Sequence, residues 1–532
     1  MSDALEKRIK KHIIGKPHRF LAVSPLGFEQ TLSRELDCIL GDNATEQPHS
    51  TGDGKVEFTT KLTEAWKVVA VSRIANRVLM EVASFRAENF RELEKKASEI
   101  PWELYLDRNV ILSKAKDPVK SGNALNIHVT CKHSRLYHSD AIAERLYKII
   151  EEGVSVPLAP ADTASATPSA GTPRNDPSQN ENRSIQQNLY VNFLDDRCTI
   201  WLDLAGEELY KRGFERFVND APLKETIASA MIFEAIHVNS QLPNLQDVTP
   251  DSVLFDHLEL QLLRGHDPRM GTRPPYSILD LMSGSGTFSL EAACIANKII
   301  PGTCRDFALK HQPAFKEATW NFITRSITQS EAKSNTSAPV TQSNTRGDTS
   351  TSVTLNEVKG PVKPRNATKY PIIAKIITSD ISERAVSIIK HNIECSPLAQ
   401  IAPNKTTPTI SPQLRDFFSY TAKEITDACG DTSPILVLNP PYGKRLDFDA
   451  PKLYTQIGKK LTELARDLHN LGKTITVAIL APKDDTRDGA KYTCTANLLR
   501  ECPALSPEQT QTAKVIQTSH GGFSLNAFFA TI

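Results

Sequence analysis

The stretch Pro434 to Leu446, PILVLNPPYGKRL, constrains this 532-residue chain more than any other. Ile435, Leu436, Val437 and Leu438 are apolar and partly β-branched, the pattern of a short strand buried on both faces of a parallel sheet. The run stops abruptly at Asn439-Pro440-Pro441-Tyr442-Gly443. Two successive prolines remove two backbone donors and fix φ, which holds the carbonyls of Asn439 and Pro440 in a rigid, extended turn as outward-facing acceptors. The Asn439 side chain adds another acceptor, and Tyr442 an aromatic face beside it. Such a set suits a planar base carrying an exocyclic amine. The same residue types also make ordinary tight turns, so the rest of the chain has to decide between the two.

Ser277 to Leu281 reads as a second buried strand, followed by the glycine-rich turn Met282-Ser283-Gly284-Ser285-Gly286-Thr287 and a helix from Phe288 to Asn297. Glycines let a ligand approach the backbone closely, and the free N–H groups of the helix start meet its polar atoms. No Gly-Lys-Ser/Thr follows, which excludes a P-loop. The spacing Gly284-x-Gly286-x-x-Ser289 nearly fits a dinucleotide fingerprint, so on this stretch alone a dehydrogenase stays open. Ile372 to Ser379 predicts a further strand ending at Asp380, whose carboxylate can accept from both hydroxyls of a ribose. Arg415-Asp416-Phe417 comes next, and the strand into Asn439 is then the fourth of the sheet. Asp280, Asp380, Asp416 and Asn439 thus each follow an apolar strand or precede a helix.

The N-terminal half reads as smaller α+β units. A strand at Arg19 to Val23, a helix from Phe28 to Leu40, a strand at Gly54 to Phe58, a helix from Leu62 to about Ser72 and a strand at Arg77 to Ser84 come first. A strand at Ala124 to Cys131 leads into the basic cluster Lys132, His133, Arg135 and His138, ahead of a helix from about Asp140 to Ile150. As a string that cluster reads first as a solvated loop, with phosphate binding ahead of a helix N-terminus as the other reading. A hairpin, Asn188 to Phe193 and Arg197 to Leu204, follows.

The 63 basic and 62 acidic residues nearly cancel, so any nucleic-acid surface must be a local patch. Nine scattered cysteines with no C-x-x-C pair support neither a zinc site nor a disulfide framework. The charged start MSDALEKRIKKHIIGK lacks the apolar core of a signal peptide, and no run reaches the ~20 apolar residues of a membrane span. A cytoplasmic location is expected. Residues 159–183 and 326–364 are rich in Ser, Thr, Pro, Asn and Gln and read as flexible insertions.

These strings carry a family resemblance. Asp-x-x-x-Gly-x-Gly-Thr at Asp280 to Thr287 looks like the first motif of class I methyltransferases, and Asn439-Pro440-Pro441-Tyr442 resembles the signature of S-adenosylmethionine (AdoMet)-dependent amino-methyltransferases. Ala221-Pro222-Leu223-Lys224-Glu225 looks like the helix opening that precedes the catalytic sheet in bacterial 23S rRNA guanine-N2 methyltransferases. The order of elements before it resembles a THUMP domain preceded by a ferredoxin-like unit. The resemblance implies an α/β protein, a class I (Rossmann-like) methyltransferase sheet with an N-terminal α+β ferredoxin-like plus THUMP module. It divides the chain into a ferredoxin-like unit at 1–75, a THUMP domain at 76–212 and a catalytic domain at 213–532. AdoMet is the implied donor, held by Asp280, Gly284, Gly286, Thr287, Asp380, Asp416 and Phe417. Asn439, Pro440, Pro441 and Tyr442 would handle the target amine. Lys132, Arg135, His138, Lys444 and Arg445 would engage RNA, and no metal is required. The implied reaction is methylation of guanine N2 in 23S rRNA. A tRNA guanine, an adenine N6, a protein glutamine and a non-catalytic RNA-binding assembly factor remain alternatives.

Overall fold

A computed structural model describes residues 3–107, 125–155, 187–218, 222–240, 275–329, 373–401, 408–442, 449–484 and 493–532. The expected insert at 159–183 lies outside these residues, as does nearly all of 326–364; the helix Glu317–Gln329 runs through the expected start of the second insert.

The N-terminal half forms one seven-stranded sheet. Its strands are β1 (Pro17–Val23), β2 (Glu46–Gly52), β3 (Lys55–Lys61), β4 (Arg77–Arg86), β5 (Leu125–Lys132), β6 (Gln187–Leu194) and β7 (Arg197–Asp203), in the order β2-β3-β1-β4-β7-β6-β5. β1 to β4, with the helices Glu29–Leu40 and Leu62–Val71 between them, give the β-α-β-β-α-β order of a ferredoxin-like unit. β4 pairs with β1 on one side and with β7 on the other, so the line expected at 75/76 divides a continuous sheet. Asp195 and Asp196, both with positive φ, close the β6–β7 hairpin as a tight two-residue turn.

The second half forms another seven-stranded sheet, from β8 (Tyr276–Asp280), β9 (Ile373–Asp380), β10 (Gln413–Leu414), β11 (Ser433–Leu438), β12 (Thr476–Pro482), β13 (Lys514–His520) and β14 (Phe523–Thr531). The order is β10-β9-β8-β11-β12-β14-β13, with β14 antiparallel to both its neighbours and β8 to β12 parallel. β13 and β14 form a closing hairpin around Gly521-Gly522. The chain steps from β8 outward to β10, then returns to β8's other side as β11. Ligands of open parallel sheets bind outside the strand ends at such a reversal.

The helix Glu225–Ser240 is buried along nearly its whole length, from Thr226 to Asn239, as an all-round apolar helix must be. It packs on the helix Glu29–Leu40, on the helix Thr287–Ala296 and on β12 and β14, so both halves share one apolar core. It begins at Glu225, the last residue of the opening expected at Ala221 to Glu225; Ala221 itself lies outside the described residues. Among the described residues, no helix is long and apolar enough to cross a membrane.

Candidate active site

Two strand tips of the second sheet, those of β8 and β9, converge on the glycine turn. β8 ends at Asp280, which is 1% exposed; its Oδ2 accepts from the Ser289 amide at 3.1 Å and from the Ser289 hydroxyl at 2.7 Å. Burial above all pushes the Asp280 carboxyl up to about 7, with the nearby Asp380 charge acting the same way and the two Ser289 bonds opposing. It is a supporting carboxylate that fixes the start of the helix Thr287–Ala296 beneath the turn. Ser283 binds back to the end of β9, donating from its amide at 3.1 Å and from its hydroxyl at 2.8 Å to the Ser379 carbonyl. The Gly284 amide then donates to Asp380 Oδ2 at 2.8 Å, while Asp380 Oδ1 accepts from the Ser382 amide at 2.9 Å.

Both glycines of the turn have left-handed backbone, φ +55° at Gly284 and +77° at Gly286. They differ in what surrounds them. A Cβ on Gly286 would meet Ile389 Cγ1 at 2.9 Å, whereas one on Gly284 would meet none of the described residues within 4 Å. Gly286 is needed for close packing on the helix Glu383–Glu394; Gly284 faces open space beside Asp380. Thr287, at 4% exposure, accepts from Arg216 Nη2 at 2.7 Å, and Arg216 is also ion-paired with Glu225. Arg216 therefore ties the segment before the buried helix to the turn, as does Asn392, which exchanges hydrogen bonds with the backbone of Phe217 and donates to the Ser285 carbonyl.

Asp416 follows β10, and its Oδ1 accepts from the Phe418 amide at 3.0 Å as the cap of a short 3-10 turn. Phe417, one of the residues implied to hold the donor, is 2% exposed and packed in the core with Leu279, Leu436, Leu438 and Tyr454. Phe418, edge-on to it at 5.2 Å between centroids, is the less buried ring.

On the other side of β8, β11 delivers Asn439. Asp280 lies in register with Val437, two residues before Asn439, so the carboxylate and the amide belong to the same end of neighbouring strands. Asn439 Oδ1 is buried and has no hydrogen-bond partner among the described residues. A buried acceptor without a donor costs roughly 1–3 kcal/mol, a cost that persists where a ligand donor completes the site. Pro440 is buried and Pro441 exposed; Tyr442 is 9% exposed, with the Phe523 ring edge-on to it at 5.9 Å. β14 thus braces the aromatic ring of the turn. Lys444 and Arg445 lie outside the described residues.

The basic cluster belongs to the other sheet. Lys132, Arg135 and His138 are exposed around the end of β5, and Arg135 pairs with Glu88 and with Asp196. Tyr137, 66% exposed, lies over His138 at 4.1 Å between ring centroids.

Sequence reasoning missed the residues joining the two halves. Glu291, at 3% exposure on the helix of the glycine turn, accepts from Arg212 Nε and Nη2, both at 3.1 Å, from Ser229 at 2.6 Å and, more distantly, from Arg73 at 3.4 Å. Glu234 on the buried helix takes Arg34, Thr31 and Lys514. The available signal was a single acid inside an otherwise apolar helix, TFSLEAACIA and IASAMIFEAIHV, which cannot be buried unpaired.

Residues 268–479 match the family described as "RMKL-like, methyltransferase domain", and residues 19–79 match the "RlmL ferredoxin-like domain". The chain is 25% identical over 451 residues to "Putative RNA methyltransferase YpsC" of Bacillus subtilis (strain 168), across 84% of this chain and 86% of that one. It is 24% identical over 461 residues to "Ribosomal RNA large subunit methyltransferase K/L" of Syntrophotalea carbinolica, across 84% of this chain and 47% of the relative. It thus spans about half the length of the K/L relatives it matches. Among solved structures, a possible methylase from Clostridium difficile 630 superposes with a TM-score of 0.58 at 18% identity, over 97% of this chain and 98% of that one. SMU.472, described as a putative methyltransferase complexed with SAH, does so with a TM-score of 0.56 at 19% identity, with the same coverage of both chains. At these identities the structures show a shared fold. Residues 19–79 of this chain accordingly match an RlmL ferredoxin-like domain, and residues 268–479 match an RMKL-like methyltransferase domain.

Proposed function

We propose that the chain is an AdoMet-dependent RNA methyltransferase acting on the exocyclic N2 amine of a guanine in large-subunit rRNA. The observation that carries this reading is Asn439 Oδ1, a buried acceptor without a donor among the described residues at the sheet's reversal point, followed at once by Pro440. The relatives named as RNA methyltransferases support an RNA substrate, and the exposed cluster of Lys132, Arg135 and His138 on the N-terminal sheet suits its phosphates.

The residues present fit the donor. The open space over Gly284, the adjoining Asp380 carboxylate and the Asp416 turn form a continuous edge along β8, β9 and β10. Asp380 would take the ribose hydroxyls and Asp416 the adenine amine, while the glycine turn carries the methionine end. When bound, AdoMet supplies an electrophilic methyl group on a sulfonium.

The guanine amine is a poor nucleophile because its lone pair is delocalised into the ring. Asn439 Oδ1 and the Pro440 carbonyl accept its two hydrogens, which favours a pyramidal nitrogen and points the lone pair toward the donor. The contribution of the chain is mostly positioning. Tyr442, braced by Phe523, stacks on the target base; such stacking is worth about 1–3 kcal/mol and offsets much of the few kcal/mol needed to extrude a base. Lys444 and Arg445 follow within three residues and suit the flanking phosphates.

The test is methyl transfer from labelled AdoMet to total rRNA and total tRNA, with products mapped by nucleoside mass spectrometry for wild type and Asn439→Ala. The expected result is N2-methylguanosine in 23S rRNA, lost in the variant. Label in tRNA alone would replace the substrate, and absence of transfer despite donor binding would overturn the enzymatic reading.

A further inference from the structure

Glu215, His391 and Cys395 come together beside the glycine turn, although nothing in the methyl-transfer chemistry uses them. Their carboxylate, imidazole and thiol ligand atoms all lie within 4.8 Å of one another. His391 and Cys395 are four residues apart at the end of the helix Glu383–Glu394, a spacing that puts both side chains on one face. Cys395 Sγ is 3.3 Å from His391 Nε2. Around a tetrahedral Zn2+, with Zn–S about 2.3 Å and Zn–N about 2.0–2.1 Å, sulfur and nitrogen stand about 3.6 Å apart, so these two ligands need to part by only a few tenths of an ångström to share one ion. Glu215 enters from the segment that crosses this helix. Two residues on, Phe217 stacks on the His391 ring at 4.0 Å with the planes 12° apart, and the Phe217 backbone is held by Asn392. The imidazole is thus oriented by packing before any ion arrives.

We propose that Glu215, His391 and Cys395 form a binding site for a soft divalent transition metal of the Zn2+ class, with a fourth position left to water. A thiolate, a carboxylate and a neutral imidazole balance the charge of a divalent ion, and the mixed sulfur and nitrogen donors disfavour Mg2+ and Ca2+. An ion held there would clip the segment carrying Arg216 onto the helix that packs against Gly286, and so fasten the surroundings of the glycine turn. The search for paired cysteines passes over it because it contains a single one.

The full chain, reduced and metal-stripped, is titrated with Co2+ and followed by absorption. One equivalent should produce a thiolate-to-cobalt charge-transfer band and ligand-field bands of tetrahedral intensity, and one equivalent of Zn2+ should bleach both. Cys395→Ser and His391→Asn should each abolish the charge-transfer band or its tetrahedral pattern, and Glu215→Gln should weaken binding, all without change in the circular dichroism of the metal-free protein. Cys304→Ser, which removes the exposed free cysteine, should leave the bands intact. No band in the folded wild type, or a band that survives Cys395→Ser, would overturn the proposal and leave a Cys395–His391 hydrogen bond as the whole of the contact.

Discussion

The Gly284 amide donates to the Asp380 carboxylate at 2.8 Å, joining the turn after β8 to the tip of β9 across 96 residues of sequence. The bond fixes both the left-handed turn and the orientation of the carboxylate. It also explains how a long intervening segment leaves the site intact: β8 and β9 pair directly, and their ends are locked by three hydrogen bonds from Ser283 and Gly284.

The two glycines of this turn should respond differently to alanine. Both substitutions meet a left-handed backbone, at roughly 1–2 kcal/mol each. Gly286→Ala also drives a Cβ into buried Ile389 and should lose about 2 kcal/mol more in urea unfolding. Gly284→Ala should keep most of its stability, because its Cβ enters open space, but should bind S-adenosylhomocysteine at least tenfold more weakly by calorimetry. Equal stability losses with unchanged ligand affinity would mean that the space over Gly284 is not where the donor lies.

Asn439 should act on turnover and not on donor binding. Asn439→Ala removes one oriented acceptor, and by analogy with other single positioned hydrogen bonds kcat should fall about 100- to 1,000-fold. Calorimetric affinity for S-adenosylhomocysteine should stay within twofold of wild type. Asn439→Asp keeps an acceptor and should recover part of the rate. A fall in donor affinity equal to the fall in rate would place Asn439 in the donor pocket.

The tips of β8 and β11 were legible because strands buried on both faces carry contiguous apolar runs, and these runs stop at Asp280 and just before Asn439. β2 was not, since EQPHSTG contains no large apolar residue, and an edge strand paired only with β3, through two register shifts, needs none. Phe417 and Phe418 show a second limit. Adjacent aromatics after a strand have no periodicity to say which faces the core, and the 3-10 turn capped by Asp416 turned Phe417 inward. Arg216 was invisible for a third reason: its partners Glu225 and Thr287 are set by how the buried helix docks on the sheet, not by local spacing.

Glu291 should be the most sensitive polar position at the junction of the two halves. Glu291→Gln leaves Arg73 and Arg212 buried at 3% and 4% side-chain exposure without their carboxylate. Breaking a buried pair from one side costs about 3–5 kcal/mol, and this loss should appear in urea unfolding. Arg73→Met should cost less, because Arg212 still holds both carboxylate oxygens. The reverse ranking would make the Arg73 contact, long as it is at 3.4 Å, the principal one.

Asp280 should leave a signature in the pH dependence of stability. Its carboxyl is pushed from the ordinary 3.8 up to about 7, chiefly by burial. Between about pH 4 and pH 7 the folded chain therefore keeps a proton that the unfolded chain has released. Stability from this group is complete below the unfolded value and is lost as pH rises through the folded one, by an amount on the order of 4 kcal/mol at most. Asn cannot titrate, so the stability of wild type relative to Asp280→Asn should fall between about pH 4 and pH 7 and level off above. A difference that does not change over this range would mean that the carboxylate is charged throughout. Bound S-adenosylhomocysteine adds a discriminating condition. If its amino cation lies near Asp280, the charged carboxylate is favoured and the fall should move to lower pH in saturating ligand; a window that stays in place would confine Asp280 to supporting the turn through Ser289.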